Sequence, residues 1–287
     1  MGYQVRYGDP AASGCHVPDQ EMIQELKPSQ FHRVSRLFEG VRHHLPANAV
    51  LNRDFPGRVF VDDPDEPRVA VAWALTRWAY ISGDAEASSF VEMLPDLMDR
   101  IIVPNSLELG QRWFELYCED DPLWTTRIEF VLSRYHPERH YELLLVLDPW
   151  RFRRSAVLPL PPGVRVERVE IPIIPQQARH SLLIEKEYRT RTAFGFACLL
   201  NDSRVALCRS NGLATGREFM VDVETPDPRH RRKGYANVAS HALVADSIRR
   251  GYVPLWEALE DNLASLRLAR GLGFADQERY TVYRVEF

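Results

Sequence analysis

The feature that most constrains the fold is an unbroken strand–turn–helix pattern within Arg217–Gly251. The segment REFMVDVET (Arg217–Thr225) alternates apolar and polar residues as a half-buried strand does, and a short proline-bearing loop follows it. The turn PRHRRKGYA then leads directly into NVASHALVADSIRR, whose spacing is typical of a helix that Gly251 ends. The sequence therefore places a basic turn where a strand passes into a helix.

Such a turn is suited to an anionic ligand. The first N–H groups of a helix have no partner inside it, and the helix dipole adds partial positive charge there. Gly234 lets a ligand approach the backbone closely, and Ala236 is nearly as small. Arg231, Arg232 and Lys233 add positive charge at the rim. We expect a phosphate or pyrophosphate to bind at this turn.

The motif itself narrows the choice of ligand. Neither G-x-x-x-x-G-K-[ST] nor G-x-G-x-x-G occurs, which argues against a nucleotide hydrolase or a Rossmann dinucleotide site. The turn reads Arg231-x-x-Gly234-x-Ala236, preceded by Pro228-x-His230, and resembles the [QR]-x-x-G-x-[GA] signature of the GNAT acyltransferase superfamily. Taken alone, these residues also fit an ordinary solvated turn before a helix.

A second block of sequence strengthens the resemblance. Pro254–Phe274 reads PLWEALEDNLASLRLARGLGF, a strand followed by Asn-x-x-Ser on a helix and then Leu-Gly-Phe. Six residues of this block together resemble the branch of the superfamily that includes the zwittermicin-resistance acetyltransferases. They are Trp256, Asn262, Ser265, Ala269 and Gly273-Phe274.

The resemblance implies an α/β fold of the α+β kind: a mixed, mostly antiparallel sheet flanked by helices, with acetyl-CoA as cofactor. It implies that the main chain near Val221 and Val223 binds the pantetheine arm and the thioester. The implied pyrophosphate site comprises Arg231, Arg232, Lys233, Gly234, Tyr235 and Ala236. Asn262 and Ser265 lie three residues apart on one helix face and would point toward the same arm. Tyr235 is expected either to cover the ligand or to pack inward.

The implied reaction is direct attack of a neutral amine on the thioester. An amine of pKa ~10 is protonated at neutral pH, so a base or a water chain must remove a proton. Glu224 and Glu257, which follow or end strands, are the candidates, and each is equally compatible with a solvated carboxylate. The tyrosine acid of many GNAT enzymes is replaced here by Ala269, so the acid is unassigned; Ser265 or a water would substitute.

Composition limits the other classes of function. The chain has 287 residues and a net charge of −4, which gives no overall basic field for nucleic acid. Cys15, Cys118, Cys198 and Cys208 show no metal-binding spacing, and we expect free thiols in a cytoplasmic protein. No apolar run reaches the ~18 residues of a membrane span. His136-x3-His140 has a metal-like spacing, but Pro137 favours a loop, so no metal is predicted.

The element order predicts two domains. Residues 1–150 form an α/β domain, residues 151–163 a proline-rich linker, and residues 164–287 the acetyl-CoA-binding domain. The predicted N-terminal elements are a helix in Asp19–His44, strands Arg58–Val61 and Arg68–Leu75, helices Ala85–Arg100 and Ser106–Glu119, and strands Arg127–Leu132 and Glu142–Leu147. The order favours the hypothesis of a degenerate second GNAT-like copy. The predicted C-terminal elements, besides those above, are strand Val164–Ile171, helix Gln176–Arg189, hairpin Phe194–Leu200 with Val205–Arg209, helix Asn262–Arg270 capped by Asp261, and strand Tyr280–Glu286.

The prediction is an N-acetyltransferase that acetylates a primary amine of a small molecule, without nucleic acid or membrane partners. A catalytically inactive acyl-CoA-binding or sensing module is the alternative, and a phosphate-ester-binding protein unrelated to CoA is a third class. The sequence leaves the amine and the oligomeric state open, although two halves in tandem are compatible with a monomer.

Overall fold

The computed structural model describes residues 23–287 except residues 76, 87, 157 and 161. Cys15 and the start of the expected first helix lie outside the described residues. The strands are β1 Gln24–Leu26, β2 Gly57–Val61, β3 Val69–Ala74, β4 Trp78–Gly83, β5 Trp113–Cys118, β6 Glu138–Leu147, β7 Val164–Pro172, β8 Thr192–Leu200, β9 Ser203–Thr215, β10 Glu218–Glu224, β11 Val253–Leu259 and β12 Phe274–Glu286. The α-helices are α1 Leu45–Leu51, α2 Ser88–Glu92, α3 Leu94–Leu97, α4 Val103–Glu108, α5 Pro122–Val131, α6 Pro149–Arg154, α7 Lys186–Arg189, α8 Tyr235–Arg250 and α9 Leu263–Gly271. Short 3₁₀ turns occupy Pro28–Leu37, Arg42–His44, Ser133–Tyr135, Gln176–Ala178 and Pro228–His230, and Met98–Ile102 is a π-helical turn.

The described strands form one 12-stranded sheet in the order β1-β2-β3-β4-β5-β12-β6-β11-β10-β9-β8-β7. Its pairs are antiparallel except β4–β5 and β10–β11, which are parallel. The sheet is thus mixed and mostly antiparallel, which confirms the expected fold class.

The sheet repeats one arrangement on both sides of its centre. In each half an antiparallel run leads to a parallel pair, β4–β5 in the first half and β10–β11 in the second. The last strand of each half then crosses over: β12 pairs with β5, and β6 pairs with β11. This repetition supports a second, degenerate copy of the fold in the N-terminal half.

The two faces of the sheet carry separate cores. Trp256 of β11 packs in the core under α8 and α9, whereas its neighbour Leu255 packs in the core that includes α1. Successive side chains of a strand point to opposite faces, so this alternation is what a sheet covered on both sides requires. A further core beneath α2–α5 includes Phe114 and Tyr283. Burial on both faces explains why β11 reads as a nearly continuous apolar run.

Several expected elements are corrected. Arg127–Leu132 was expected as a strand but lies mostly in α5, and Ser106–Glu119 was expected as one helix but ends as β5. Gln176–Arg189 contains only a 3₁₀ turn and the short α7 instead of one amphipathic helix. The described part of Asp19–His44 holds β1 and 3₁₀ turns. The helix after β11 is capped by the Asn262 side chain, which accepts from the Ser265 N–H, rather than by Asp261.

The domain boundaries stay a prediction, but two observations bear on them. α6 occupies the first part of the expected linker, where the Asp148 carboxylate caps the N–H groups of Trp150 and Arg151. β6 precedes the expected boundary in sequence, yet it lies between β12 and β11 in the sheet. Within the described residues, no helix combines the length and the apolar character that crossing a bilayer requires.

Candidate active site

The strands β10 and β11 separate at the centre of the candidate site. Their pairing runs from Glu218–Val253 to Val221–Trp256 and then stops. Beyond that point β10 stays paired with β9 as far as Glu224, and β11 stays paired with β6 as far as Leu259. Because each strand remains paired with its outer neighbour but is no longer paired with the other, a gap forms between β10 and β11. The gap opens at their carboxyl ends, where ligands bind in open α/β sheets.

The basic turn beside this gap leaves backbone donors exposed. Gly234 is the first residue outside α8 and has φ of 84°, and Arg232 also has a positive φ of 60°. Among the residues that the structure describes, no side chain caps α8, and the first turn of this helix contains no acidic residue. The N–H groups of Lys233 to Ala236 donate to no acceptor among the described residues. These groups fit a diphosphate, because they combine unpaired donors with the positive end of a 16-residue helix.

The residues of the turn differ in their contacts and in their exposure to solvent. Arg231 Nε donates to the carbonyl of Thr225 at 3.1 Å, so this side chain fixes the loop after β10. Arg232 and Lys233 are exposed at the rim. Tyr235 is buried in the core beneath α8, which favours inward packing over covering a ligand. A Cβ built on Gly234 would lie 3.2 Å from Leu158 Cδ1, so the position is crowded as well as left-handed.

A polar cavity of about 540 Å³ lies on the face of the sheet opposite α8. Val221, Asp222 and Glu257 reach it from the separated strands. The N-terminal half supplies Arg77, Trp78, Glu115 and Tyr117, and β6 supplies Glu142. Both halves of the chain therefore build the cavity, which abuts the gap between β10 and β11.

Glu142, which is buried, and Glu257, which is partly buried, form a carboxyl pair in this cavity. Glu142 and Tyr280 are direct partners across β6 and β12, and the Tyr280 hydroxyl contacts Glu142 Oε2 at 3.3 Å and Glu257 Oε1 more closely. The Tyr280 ring is held in turn by stacking on His43, with ring centroids 4.2 Å apart. The geometry fixes two carboxyl groups side by side, with one hydroxyl donor between them.

Burial changes the chemistry of this pair. Burial, followed by the charge of Glu115, raises the pKa of Glu142 to about 8. Burial and the neighbouring charge of Glu142 raise the pKa of Glu257 well above its ordinary value. Carboxyls this close titrate as a pair, because ionising one opposes ionising the other. Both carboxyls are therefore largely protonated at neutral pH, and the pair can accept a proton once it has ionised, which a rise in pH favours.

Two ion pairs line the rest of the cavity. Arg209 Nε donates to Asp222 Oδ2 at 3.0 Å across β9 and β10. Glu115 accepts from the Tyr117 hydroxyl at 3.0 Å and lies 3.6 Å from Arg77 Nε. Burial raises the pKa of Glu115 despite the opposing charge of Arg77.

The structure separates the two candidate bases. Glu257 lies in the cavity, whereas Glu224 does not line it. The Glu224 side chain is 39% exposed and lies 3.6 Å from Arg204 at the end of β10. Asp222, two residues earlier on the same face of β10, lines the cavity. Of the two candidates, the one on β11 therefore lines the cavity.

Asn262 and Ser265 have partners of their own. The Asn262 side chain caps α9, and the Ser265 hydroxyl accepts from Trp256 Nε1 at 2.9 Å. Because the Ser265 oxygen accepts this bond, its own proton remains available to another group. The contacts of both residues with a pantetheine arm stay predictions. His136 and His140 lie in the turn before β6 and in β6, not on a helix.

Sequence reasoning missed the residues that complete the cavity. Glu142 had a detectable signal, since it is the one acidic residue in the strand segment YELLLVL and a lone carboxylate in an apolar strand requires a partner. Arg77 and Glu115 had no such signal in the sequence. No element was predicted for the segment around Arg77, and β5, which contains Glu115, was expected as a helix. Tyr280 was assigned to the last strand, but its cross-strand partner depends on the crossover of β12.

A mixed sheet opened between two parallel strands, beside a basic helix start without a cap, defines the class of GNAT-like acyltransferases. Comparison with known proteins agrees: the chain belongs to the GNAT acetyltransferase family, whose family model matches residues 35–283. It is accordingly a transferase, and acetyl transfer is the reaction of its family.

Individual relatives support the same assignment. YdfB of Bacillus subtilis strain 168, an uncharacterized N-acetyltransferase, is 23% identical over 268 residues, which cover 91% of this chain and 98% of YdfB. A GCN5-related N-acetyltransferase-like protein from Streptococcus suis 89/1591 superposes with a TM-score of 0.63 at 20% identity, covering 90% of this chain and 99% of that one. A tandem GNAT protein from the clavulanic acid biosynthesis pathway gives a TM-score of 0.58 at 11% identity, covering 92% and 98%. At these identities the two structures support the fold alone.

Proposed function

We propose that the protein is an acetyl-CoA-dependent N-acetyltransferase whose acceptor is a primary amine of a small molecule. The observation that carries the proposal is the Glu142–Glu257 pair, which lies in a cavity at the gap between β10 and β11. The cytoplasmic location stays a prediction from the sequence.

The residues at the gap fit acetyl-CoA. The unpaired N–H groups at the start of α8 would hold its pyrophosphate, and the main chain at Val221 and Val223 would hold its pantetheine arm. When bound, acetyl-CoA supplies the acetyl group as a thioester, whose thiol leaves readily because its pKa is ~8.5. Ala269, which replaces the tyrosine acid of many family members, is fully buried and packs in the core as an alanine.

The carboxylate pair accounts for the proton chemistry. An amine of pKa ~10 enters as an ammonium, which the ionised form of the carboxyl pair attracts. The pair then accepts one proton and leaves a neutral nitrogen with a free lone pair. Because the pKa of Glu142 is about 8, this transfer is much less unfavourable than transfer to an ordinary carboxylate. Tyr280 keeps the two carboxyls in register through its hydroxyl.

The first test is release of the CoA thiol from acetyl-CoA in the presence of a panel of primary amines. Glu257→Gln should lower kcat by about 10²- to 10⁴-fold, the usual contribution of general acid–base catalysis, without weakening acetyl-CoA binding. Glu224→Gln is the matched control, because it makes the same change outside the cavity, and it should retain nearly full activity. Equal losses in both variants would reject the role of the pair.

Ligand specificity needs a separate measurement. Acetyl-CoA should raise the melting temperature, whereas ATP at the same concentration should raise it less, because only the former matches both the helix start and the gap. Tight acetyl-CoA binding without turnover on any amine would instead identify an acyl-CoA-binding module. Equal stabilisation by both ligands would point to a general phosphate site.

A further inference from the structure

Arg77 has an unusual environment for a cavity arginine. Its guanidinium lies between the rings of Trp78 and Trp113, at 4.6 Å and 4.3 Å from their centroids. Trp78 is the first residue of β4, and Trp113 is the first residue of β5. The two aromatic rings contact the faces of the guanidinium and hold it in one plane. Stacking of this kind orients a guanidinium while leaving its edges available for hydrogen bonds.

The hydrogen-bonding capacity of this guanidinium is largely unused. Its Nε is buried and has no hydrogen-bond partner in the described part of the chain, and it forms an ion pair with a Glu115 oxygen 3.6 Å away. No hydrogen bond joins the Arg77 side chain to any residue that the structure describes. The side chain is nevertheless 35% exposed and lines the cavity, so its exposed part lies beyond the buried Nε. The exposed end of the guanidinium, rather than the buried Nε, is therefore the part that can donate hydrogen bonds to a ligand in the cavity.

The other charges of the cavity are arranged differently. Arg209 is committed to Asp222 through a 3.0 Å bond, so it offers less to a ligand. The Glu142–Glu257 pair contacts Tyr280 but has no cationic partner within ion-pair distance among the described residues. The same 540 Å³ space is therefore lined by an ionisable carboxyl pair that has no cationic partner among the described residues, and by a guanidinium whose ion pair with Glu115 at 3.6 Å leaves its exposed end available.

We propose that the acceptor is an aminocarboxylate, with its amine at Glu142 and Glu257 and its carboxylate on Arg77. This inference rests on the proposed function, because it names the substrate class of the same site. A planar guanidinium binds a planar carboxylate through two parallel hydrogen bonds. A carboxylate therefore matches the geometry of Arg77 better than an anion without this planar shape would. Each end of a zwitterion would then face a group that can carry the opposite charge.

The test compares matched acceptors on the unmodified protein. Each ω-amino acid, with two to five methylene groups between its ends, is paired with the amide of the same length, in which the carboxylate is replaced. For the best length, kcat/KM for the acid should exceed that for the amide by about 10- to 100-fold, the range for a charged hydrogen bond. If amines are acetylated but acids and amides react equally at every length, the inference is wrong while the proposed function stands. If no amine reacts, the proposed function itself fails.

Variants then assign the preference to a residue. Arg77→Gln should reduce the acid-to-amide ratio to about one, and Arg77→Lys should restore only part of it, because lysine keeps the charge but loses the planar fork. Arg284→Gln is the control: Arg284 stacks on the same Trp113 ring at 4.7 Å but does not line the cavity, so the ratio should be unchanged. Melting temperatures and activity on the amide check that each variant is folded. A ratio that persists in Arg77→Gln would overturn the assignment.

Discussion

At the scale of single residues, the central fact is a carboxylate placed where an apolar side chain would be expected. Glu142 lies in an otherwise apolar segment of β6 and is 8% exposed. Burying it costs stability unless it is protonated or hydrogen-bonded, and both conditions are met through Glu257 and Tyr280. A residue that is costly for folding and lies in a cavity is best explained by the reaction.

The pair makes the pH dependence of catalysis testable. The active form must accept a proton, so kcat should rise with pH as the pair ionises. In Glu142→Gln the charge that helps to raise the pKa of Glu257 is removed, while the burial remains. The rising limb should therefore move to lower pH.

The measurement is kcat between pH 6 and 9.5 at saturating acetyl-CoA, with the same amine for both proteins so that its own titration cancels. The chemistry step must be rate-limiting, which a pre-steady-state burst would disprove. A limb at the same pH in both proteins would mean that the observed ionisation belongs to another group.

At the scale of secondary-structure elements, the first turn of α8 is a place where one substitution should raise the stability of the protein and lower its affinity for CoA. Ala236 is in the first turn of α8, next to the donors assigned to the pyrophosphate. An acidic residue there interacts favourably with the helix dipole but repels a bound anion. Ala236→Asp should therefore stabilise the ligand-free protein by about 0.3–1 kcal/mol and weaken CoA binding by 10-fold or more.

Thermal unfolding without ligand and calorimetric titration with CoA measure the two effects. Ala236→Asn has nearly the same shape without the charge, so it should change the affinity far less than the aspartate does. Unchanged CoA affinity in Ala236→Asp would place the diphosphate elsewhere.

The elements also show where sequence patterns determine structure. The strand, turn and helix around Gly234 were predicted within two residues at each end, because alternation, a left-handed glycine and helical spacing are all local signals. The α5 segment RIEFVL was misassigned because its β-branched and aromatic residues favour a strand. Its true signals were Asp121, which caps the helix, and the burial of Trp124 and Ile128, four residues apart, while Phe130 is 80% exposed.

The candidate site was predictable only in its local part. The pyrophosphate turn lies within one stretch of sequence, so its residues could be named from the motif. Glu142 and Glu257 come from the separate strands β6 and β11, and Arg77 comes from the turn before β4, so their meeting depends on how β6 and β12 cross between the halves. Long-range strand pairing leaves no periodic signal in the sequence that would identify such partners.

At the scale of the whole molecule, this crossover ties the halves into one unit. β12 ends the chain but pairs with β5, and β6 precedes the second half but pairs with β11. Neither half can lose its structure without removing a central strand from the other. We therefore expect cooperative unfolding of the whole sheet, even though the sequence divides into two similar halves.

Leu243→Ala tests this expectation, because Leu243 is fully buried in α8 of the second half. The truncation should destabilise the protein by about 2–5 kcal/mol. Hydrogen exchange followed by mass spectrometry would then report the free energy of opening of β3, in the first half, and of β9, in the second. If the halves unfold together, both values should fall by the same amount, since the slowest amides exchange only through global opening. Leu263→Ala, at a site 53% exposed on α9, should leave both nearly unchanged. A drop confined to β9 would show that the halves unfold independently, and the crossing strands would then join them without coupling their stabilities.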